Sequence, residues 1–316
     1  MDWVYVAAGL VILLFAGDAL VKGAVNLSLR LGVPALIVSL TIVAFGTSAP
    51  ELLVSVNAIL DGVPGLALGN VVGSNTANVL LVLGVPALIA TMHTSRIDTR
   101  DSYWQMLAAT VLFMVLCWFS PLTWWSGLIL LAALAAMLAH AGRASLRARR
   151  ASRAAVVDED EIEGADPDLP GWKIGLYLAL GIVGLPLGAD LLVTGAVNIA
   201  RTFGMSETVI GLTLVAIGTS LPELATTVVA VLRRQADVAL GNVIGSNMFN
   251  LLAIIGIASL VGPIPVDPGF FAFDLWVMLA ASLLLIPFVL MRRDIGRGWG
   301  IALTGAYVAY VAVALS

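Results

Sequence analysis

Charge is scarce in this chain of 316 residues. Only 11% of it is Asp, Glu, Lys or Arg, against about a quarter in soluble domains, and 60% is hydrophobic. That balance excludes an ordinary soluble globular protein. Cysteine is nearly absent, and a single Cys117 excludes both an internal disulfide and a thiolate metal cluster. The two histidines, His93 and His140, fall near the ends of apolar stretches, where an interfacial, structural role is expected. The first apolar run lacks a basic start and a small-residue cleavage site, so it reads as a true span and not as a removable signal.

What the chain has instead is long hydrophobic runs. A spanning helix needs about 20 mostly apolar residues. Ten such stretches lie near 3–28, 34–60, 65–91, 103–120, 122–141, 172–200, 206–232, 236–262, 270–290 and 298–315. The expected fold is an all-α membrane protein of ten transmembrane helices. Every arginine except Arg201 falls into alternate loops: Arg30; Arg96 and Arg100; Arg143, Arg147, Arg149, Arg150 and Arg153; Arg233 and Arg234; Arg292, Arg293 and Arg297. Basic loops stay in the cytoplasm. Both termini are therefore expected outside, and the 142–171 connection in the cytoplasm. Trp3, Trp124, Trp125, Trp172 and Trp299 sit near span ends, as an interfacial belt requires.

The chain repeats itself without a gap at a shift of 172 residues. "TIVAFGTSAPEL" from residue 41 meets "TLVAIGTSLPEL" from residue 213, and "ALGNVVGSNTAN" at 67–78 meets "ALGNVIGSNMFN" at 239–250. Between 41–80 and 213–252, 22 of 40 positions are identical. The expected organisation is a first repeat at 1–141 (motif 41–84), a linker at 142–171, and a second repeat at 172–316 (motif 213–256). Five spans per half is an odd number, so the second copy enters from the opposite side. Such inverted repeats belong to secondary transporters, which place their site at the midplane between the halves. The linker is basic, then acidic, with few large apolar residues, and is expected to have little fixed structure. Its acidic run lacks the spacing and glycine of an EF-hand loop.

Pro50 and Pro222 break the second and seventh spans. Proline has no N–H to donate and clashes with the carbonyl four residues back, here those of Gly46 and Gly218. Carbonyls around 44–47 and 216–219 are left without helical partners, which hydrocarbon tolerates only where they line a cavity or meet a ligand. Glu51 and Glu223 follow directly. An ionised carboxylate at mid-bilayer costs several kcal/mol unless a cation or proton compensates it. Two of them, with carbonyls and the hydroxyls of Thr47, Ser48, Thr219 and Ser220, make an all-oxygen site of charge −2. Such a site suits a hard cation, Ca²⁺ among them, and serves zinc, copper or iron poorly.

A polar stripe follows each break: Asn70, Ser74 and Asn78, then Asn242, Ser246 and Asn250. Four-residue spacing puts each set on one helix face. Ser74, Ser246, Asn78 and Asn250 are read as ion contacts. Asn70 and Asn242 serve equally well as glue between helices. Asp18 and Asp190 are read as structural or gating residues, Asp18 having Lys22 one turn later as a favourable partner.

The segments "GTSAPEL…GNVVGSNTAN" and "GTSLPEL…GNVIGSNMFN" resemble the α-repeats of the cation/calcium antiporters, in particular the sodium/calcium exchanger branch. The resemblance implies that spans 2, 3, 7 and 8 form the core and that the long spans 1 and 6 slide across it. It implies a Ca²⁺ site of Glu51 and Glu223 with the carbonyls of Thr47 and Thr219. It implies flanking Na⁺ sites completed by Ala44, Ser48 and Ser74 with Ala216, Ser220 and Ser246, and a middle lined by Asn78 and Asn250. Some relatives carry an aspartate at the position of Asn250, so the resemblance argues against potassium dependence here. The glutamate–histidine signature of the proton/calcium branch is also missing, which favours sodium.

The expected activity is antiport of Na⁺ and Ca²⁺ at a shared midplane site. A proton/calcium antiporter on the same scaffold is the alternative, since carboxylates in a low dielectric also carry protons. A channel needs a continuous pore, and no histidine or lysine is placed to activate the serines for an enzyme. The expected partners are the lipid bilayer and inorganic cations, with no cofactor and no nucleic acid. The chain is expected to act as a monomer in a prokaryotic inner membrane.

Overall fold

The computed structural model describes residues 1–152, 166, 168–205 and 216–314, with the backbone alone at 145, 147–152 and 216. Among these residues the chain is all-α. The helices are α1 (Asp2–Leu31), α2 (Ala35–Thr47), α3 (Ala49–Leu60), α4 (Pro64–Ile89), α5 (Arg100–Trp118), α6 (Trp124–Ser152), α7 (Gly171–Thr202), α8 (Ala216–Thr219), α9 (Leu221–Leu232), α10 (Ala236–Val261), α11 (Phe270–Val289) and α12 (Arg297–Ala314).

Six of them, α1, α4, α6, α7, α10 and α11, are long and apolar enough to cross a membrane; the bent pair α2–α3 makes a seventh if it is one span. The expected ten spans are met in part. α5 and α12, with 19 and 18 residues, are helices outside that group. The stretch 206–232 is described only from 216 onward, where it forms α8 and α9; residues 206–215 lie outside the described residues.

The linker differs from expectation at its start. α6 runs on to Ser152, so 142–152 is helical and not irregular. The reason is local: "RASLRARRAS" is rich in Ala, Leu and Arg, which are strong helix formers even in water. Residues 153–165 lie outside the described residues. Trp3, Trp124 and Trp172 are exposed near helix ends, whereas Trp299 sits edge-on against Phe288 at 5.1 Å.

α4 and α10 are the most enclosed of the long helices. They owe this to small and β-branched residues, Ala67, Val71 and Val72 on one and Ala239, Val243 and Ile244 on the other, all fully buried. α1 and α7 pack on each other in antiparallel sense: Gly9 meets Gly188 and Leu192, while Asp2 and Val6 meet Gly195. A Cβ at Gly9 would lie 2.6 Å from the Gly188 carbonyl oxygen, so glycine is what lets the two backbones approach.

Gly245 plays the same part where α10 crosses α2. A Cβ there would lie 2.7 Å from the Leu40 carbonyl oxygen and 2.6 Å from Ala44 Cβ. Neither obstacle is a flexible side-chain end, so α10 must move away from α2. Gly245→Ala is expected to destabilise the protein by about 1–3 kcal/mol, read as a lower Tm of the detergent-solubilised chain. An unchanged Tm would show that the crossing is looser than this geometry.

Candidate cation site

Both breaks fall at a serine. Ser48 has φ −86° and ψ 5°, and Ser220 has φ −88° and ψ 3°, a sparsely populated region between helix and strand. α2 and α3 are bent by 43° about Ser48. Pro50 and Pro222 take the first turn of α3 and α9, where a missing N–H costs nothing. Glu51 and Glu223 follow in those first turns, at the end of the helix dipole that favours a negative charge.

The two carboxylates are fully enclosed. Ser48 Oγ, from the first half, donates to Glu223 Oε1 at 3.1 Å, and Ser246 Oγ lies 3.5 Å from the same oxygen. Thr47 Oγ1 stands 3.3 Å from Ser246 Oγ and 3.2 Å from Asn242 Oδ1. Residues of both halves therefore meet around Glu223. Ser74, Ser220 and Ala44 are buried, and Thr219 is half-buried. Ala216 opens α8; its side chain lies outside the described residues.

Asn70 and Asn242 hydrogen-bond to the residues around both glutamates. Asn70 Nδ2 donates to the Glu51 carbonyl at 3.3 Å and to Ser55 Oγ at 3.1 Å. Asn242 Nδ2 repeats this with the Glu223 carbonyl at 3.4 Å and Thr227 Oγ1 at 3.3 Å. They hold the residues that carry the carboxylates.

The sequence singled out no role for Asn75 and Asn247, yet they organise the middle. Asn75 Nδ2 donates to the Asn247 carbonyl, and Asn247 Nδ2 to the Asn75 carbonyl, each at 3.3 Å. Their own side-chain oxygens accept from Asn250 Nδ2 at 3.1 Å and from Asn78 Nδ2 at 3.0 Å. With both amide nitrogens tied down, the oxygens of Asn78 and Asn250 are the ends left free. The signal was present in the duplicated "GSN", one residue after each serine of the stripe.

Five buried oxygens of this region have no hydrogen-bond partner: Glu51 Oε2, Glu223 Oε2, Asn78 Oδ1, Asn250 Oδ1 and Ser220 Oγ. Buried acceptors without a partner each cost about 1–3 kcal/mol. Four of the five are pure acceptors, which another hydrogen-bond acceptor cannot satisfy and a cation can. No nitrogen or sulfur ligand stands among them. Among the described residues no group of three His, Cys, Asp or Glu side chains could hold a metal, so any ion held here relies on hydroxyl, amide and carbonyl oxygens beside the two carboxylates. Such a donor set fits hard ions such as Ca²⁺ and Na⁺.

The profile of the sodium/calcium exchanger protein family matches residues 1–142 and 173–316. The chain belongs to that family. This family member is 34% identical to the sodium/calcium exchanger MaX1 of Methanosarcina acetivorans, across 99% of this chain and 98% of that one. It is 35% identical to the inner membrane protein YrbG of Escherichia coli, across 96% and 94%. Among solved structures it is similar to the sodium–calcium exchanger NCX_Mj soaked with zero Na⁺ and Ca²⁺, with a TM-score of 0.80, 30% identity, and coverage of 99% of this chain and 98% of that one. The same exchanger soaked with 2.5 mM Na⁺ and 0.1 mM Ca²⁺ gives a TM-score of 0.77 at 29% identity, covering 98% and 97%. The family places the chain among the cation/calcium antiporters, in the sodium/calcium exchanger branch.

Asp18 and Asp190 are not among the residues with unpaired buried oxygens. Asp18 pairs with Arg233 and not with Lys22, whose ammonium lies over the Tyr177 ring at 4.9 Å from its centre. The i, i+4 rule sees only one helix, and here a neighbouring helix supplies the stronger partner. His93 meets Asp294 at 2.9 Å in an exposed loop contact, consistent with a structural role.

Proposed function

We propose that this family member exchanges Na⁺ for Ca²⁺ by alternating access, at one set of oxygens at the membrane midplane between two inverted five-helix halves. The observation that carries the reading is the group of unpartnered buried acceptors, Glu51 Oε2, Glu223 Oε2, Asn78 Oδ1 and Asn250 Oδ1, drawn equally from both repeats. Inversion is supported by the antiparallel pairing of α1 with α7, and by the reciprocal hydrogen bonds of Asn75 with Asn247.

Two carboxylates neutralise one Ca²⁺. Glu51 and Glu223, with the carbonyls of Thr47 and Thr219, hold it. Na⁺ occupies the same carboxylates with Ser48, Ser74, Ser220 and Ser246, so the two ions compete. Either load lets the core switch sides; the bare −2 site does not cross an apolar barrier. Antiport follows from that exclusion. If three Na⁺ replace one Ca²⁺, each cycle carries one net charge, worth about 2.3 kcal/mol per 100 mV. Hydroxyls and carbonyls beyond the glutamates have no use in proton carriage alone, which favours sodium over protons. The site is complete within one chain, which supports a working monomer. The arginine-rich loops support external termini and a cytoplasmic linker, and YrbG is an inner membrane protein, the location proposed here too.

The test is ⁴⁵Ca²⁺ uptake into proteoliposomes loaded with Na⁺ or with choline at matched pH. Uptake that needs internal Na⁺ is expected. Uptake that ignores Na⁺ and follows a pH gradient would replace sodium by protons as the coupling ion.

A further inference from the structure

A cavity of about 770 Å³ opens on the arginine-rich face, between the end of α9, the start of α10 and the α4–α5 connection. Arg96 and Arg234 line it, with His93, Asp237, Ile97 and Leu232. Among the described residues neither guanidinium makes an ion pair or a hydrogen bond. Asp237 Oδ1 accepts from the Val238 N–H at 2.9 Å, and the carboxylate pairs with no cation. His93 is already taken by Asp294.

Arg234 stands in the left-handed region, at φ 57°. It follows α9 at the position where glycine is usual. Its N–H bonds the Val231 carbonyl at 3.0 Å, and the Gln235 N–H bonds the Ala230 carbonyl at 2.8 Å. The first half ends α3 in the same way, with Gly62 at φ 75° and bonds from Gly62 to Ile59 and from Val63 to Ala58. A residue with a Cβ is strained there, and such strain gathers at functional sites. The shift of 172 residues that carries Arg234 onto Gly62 also carries Asp237 onto Gly65, Arg96 onto Pro268 and His93 onto Pro265. The repeat supplies this turn twice and the charges once, so the turn forms without them.

We propose that the cavity holds the headgroup of a phospholipid that carries both a phosphate and a primary ammonium, as phosphatidylethanolamine does. Arg96 and Arg234 hold the phosphate through charge-assisted hydrogen bonds, and Asp237 receives the ammonium. A headgroup with the phosphate alone would leave the Asp237 carboxylate facing an anion. Ile97 and the exposed Leu232 give the cavity an apolar side, which suits the ester end of the acyl chains and not a free phosphate. Basic pockets at the cytoplasmic ends of spanning helices bind headgroups by this chemistry. The volume lies within the roughly 300–1,000 Å³ of small-molecule sites. The inference does not depend on which ions are exchanged.

The test is the binding of single lipids to the purified full chain, followed by native mass spectrometry. Phosphatidylethanolamine is compared with phosphatidylglycerol of the same acyl chains, and inorganic phosphate is the competitor. The ethanolamine lipid is expected to bind about tenfold more tightly. Arg234→Gly is expected to weaken it about tenfold, while Tm without added lipid holds or rises, because glycine suits the left-handed turn. Asp237→Asn can still accept from the Val238 N–H, and is expected to erase the preference while phosphatidylglycerol binds as before. Equal binding of the two lipids by the unaltered chain would overturn the proposal. So would an affinity that ignores Arg234→Gly. Displacement of the lipid by equimolar inorganic phosphate would overturn it too, by making the occupant a free anion.

Discussion

Glu51→Gln and Glu223→Gln are each expected to reduce Na⁺-driven Ca²⁺ uptake at least about 100-fold while the protein still folds. The side chains keep their shape and lose one charge. At an effective dielectric near 20, a unit charge about 4 Å from another is worth about 4 kcal/mol, and a divalent ion feels twice that. A Ca²⁺ ion facing a site of charge −1 retains a net charge in the low-dielectric interior, which the membrane opposes. The change removes one of two charges that the apolar interior disfavours, so Tm is expected to stay or rise. Uptake in vesicles, with Tm measured on the same preparations, separates loss of the site from loss of the fold. Uptake that survives in both variants removes these glutamates from the ion path.

Asn247→Ala is expected to weaken Ca²⁺ binding about tenfold and to lower Tm as well. Asn247 Oδ1 is the acceptor for Asn78 Nδ2, and its own Nδ2 donates to the Asn75 carbonyl. Truncation leaves the buried Asn78 amide unpaired, at about 1–3 kcal/mol, and removes the second bond to the Asn75 carbonyl. Part of that cost appears as stability. The rest appears as affinity, because the Asn78 amide is no longer held with its oxygen free. Asn75→Ala is expected to do the same to Asn250 through the bond at 3.1 Å. Calorimetric Ca²⁺ binding checks both variants. A lower Tm with unchanged affinity would make the asparagine bracket purely structural.

Much of this was legible in the chain because the chemistry is local. Pro50 and Pro222 act on their own helices, and the breaks fall at the adjoining serines. Glu51 and Glu223 are conspicuous because a carboxylate in an apolar run needs a reason. The repeat supplied each observation twice. What escaped was whatever two distant segments make together. Asn75 and Asn247 are just more polar residues in a motif until α4 and α10 face each other, and only then does each become the partner of the other's neighbour. Asp18 has a plausible partner one turn away in Lys22, and the fold gives it Arg233 instead. The stripe's 70/242 pair reads equally as glue or ligand, and only the fold shows its amides bonded to the Glu51 and Glu223 carbonyls. The start of the linker was misjudged for a different reason: charge argued against packing, while helix propensity required none.

Competition between the two ions at one set of oxygens is measured most directly by Ca²⁺ binding to the purified protein at rising Na⁺, with choline replacing Na⁺ to hold ionic strength. The expected result is an apparent Kd for Ca²⁺ that climbs steeply with Na⁺, more than in proportion to its concentration, while the number of Ca²⁺ ions bound at saturation stays at one. A Kd that is indifferent to Na⁺, with both ions bound together, would mean separate sites and no exchange by mutual exclusion.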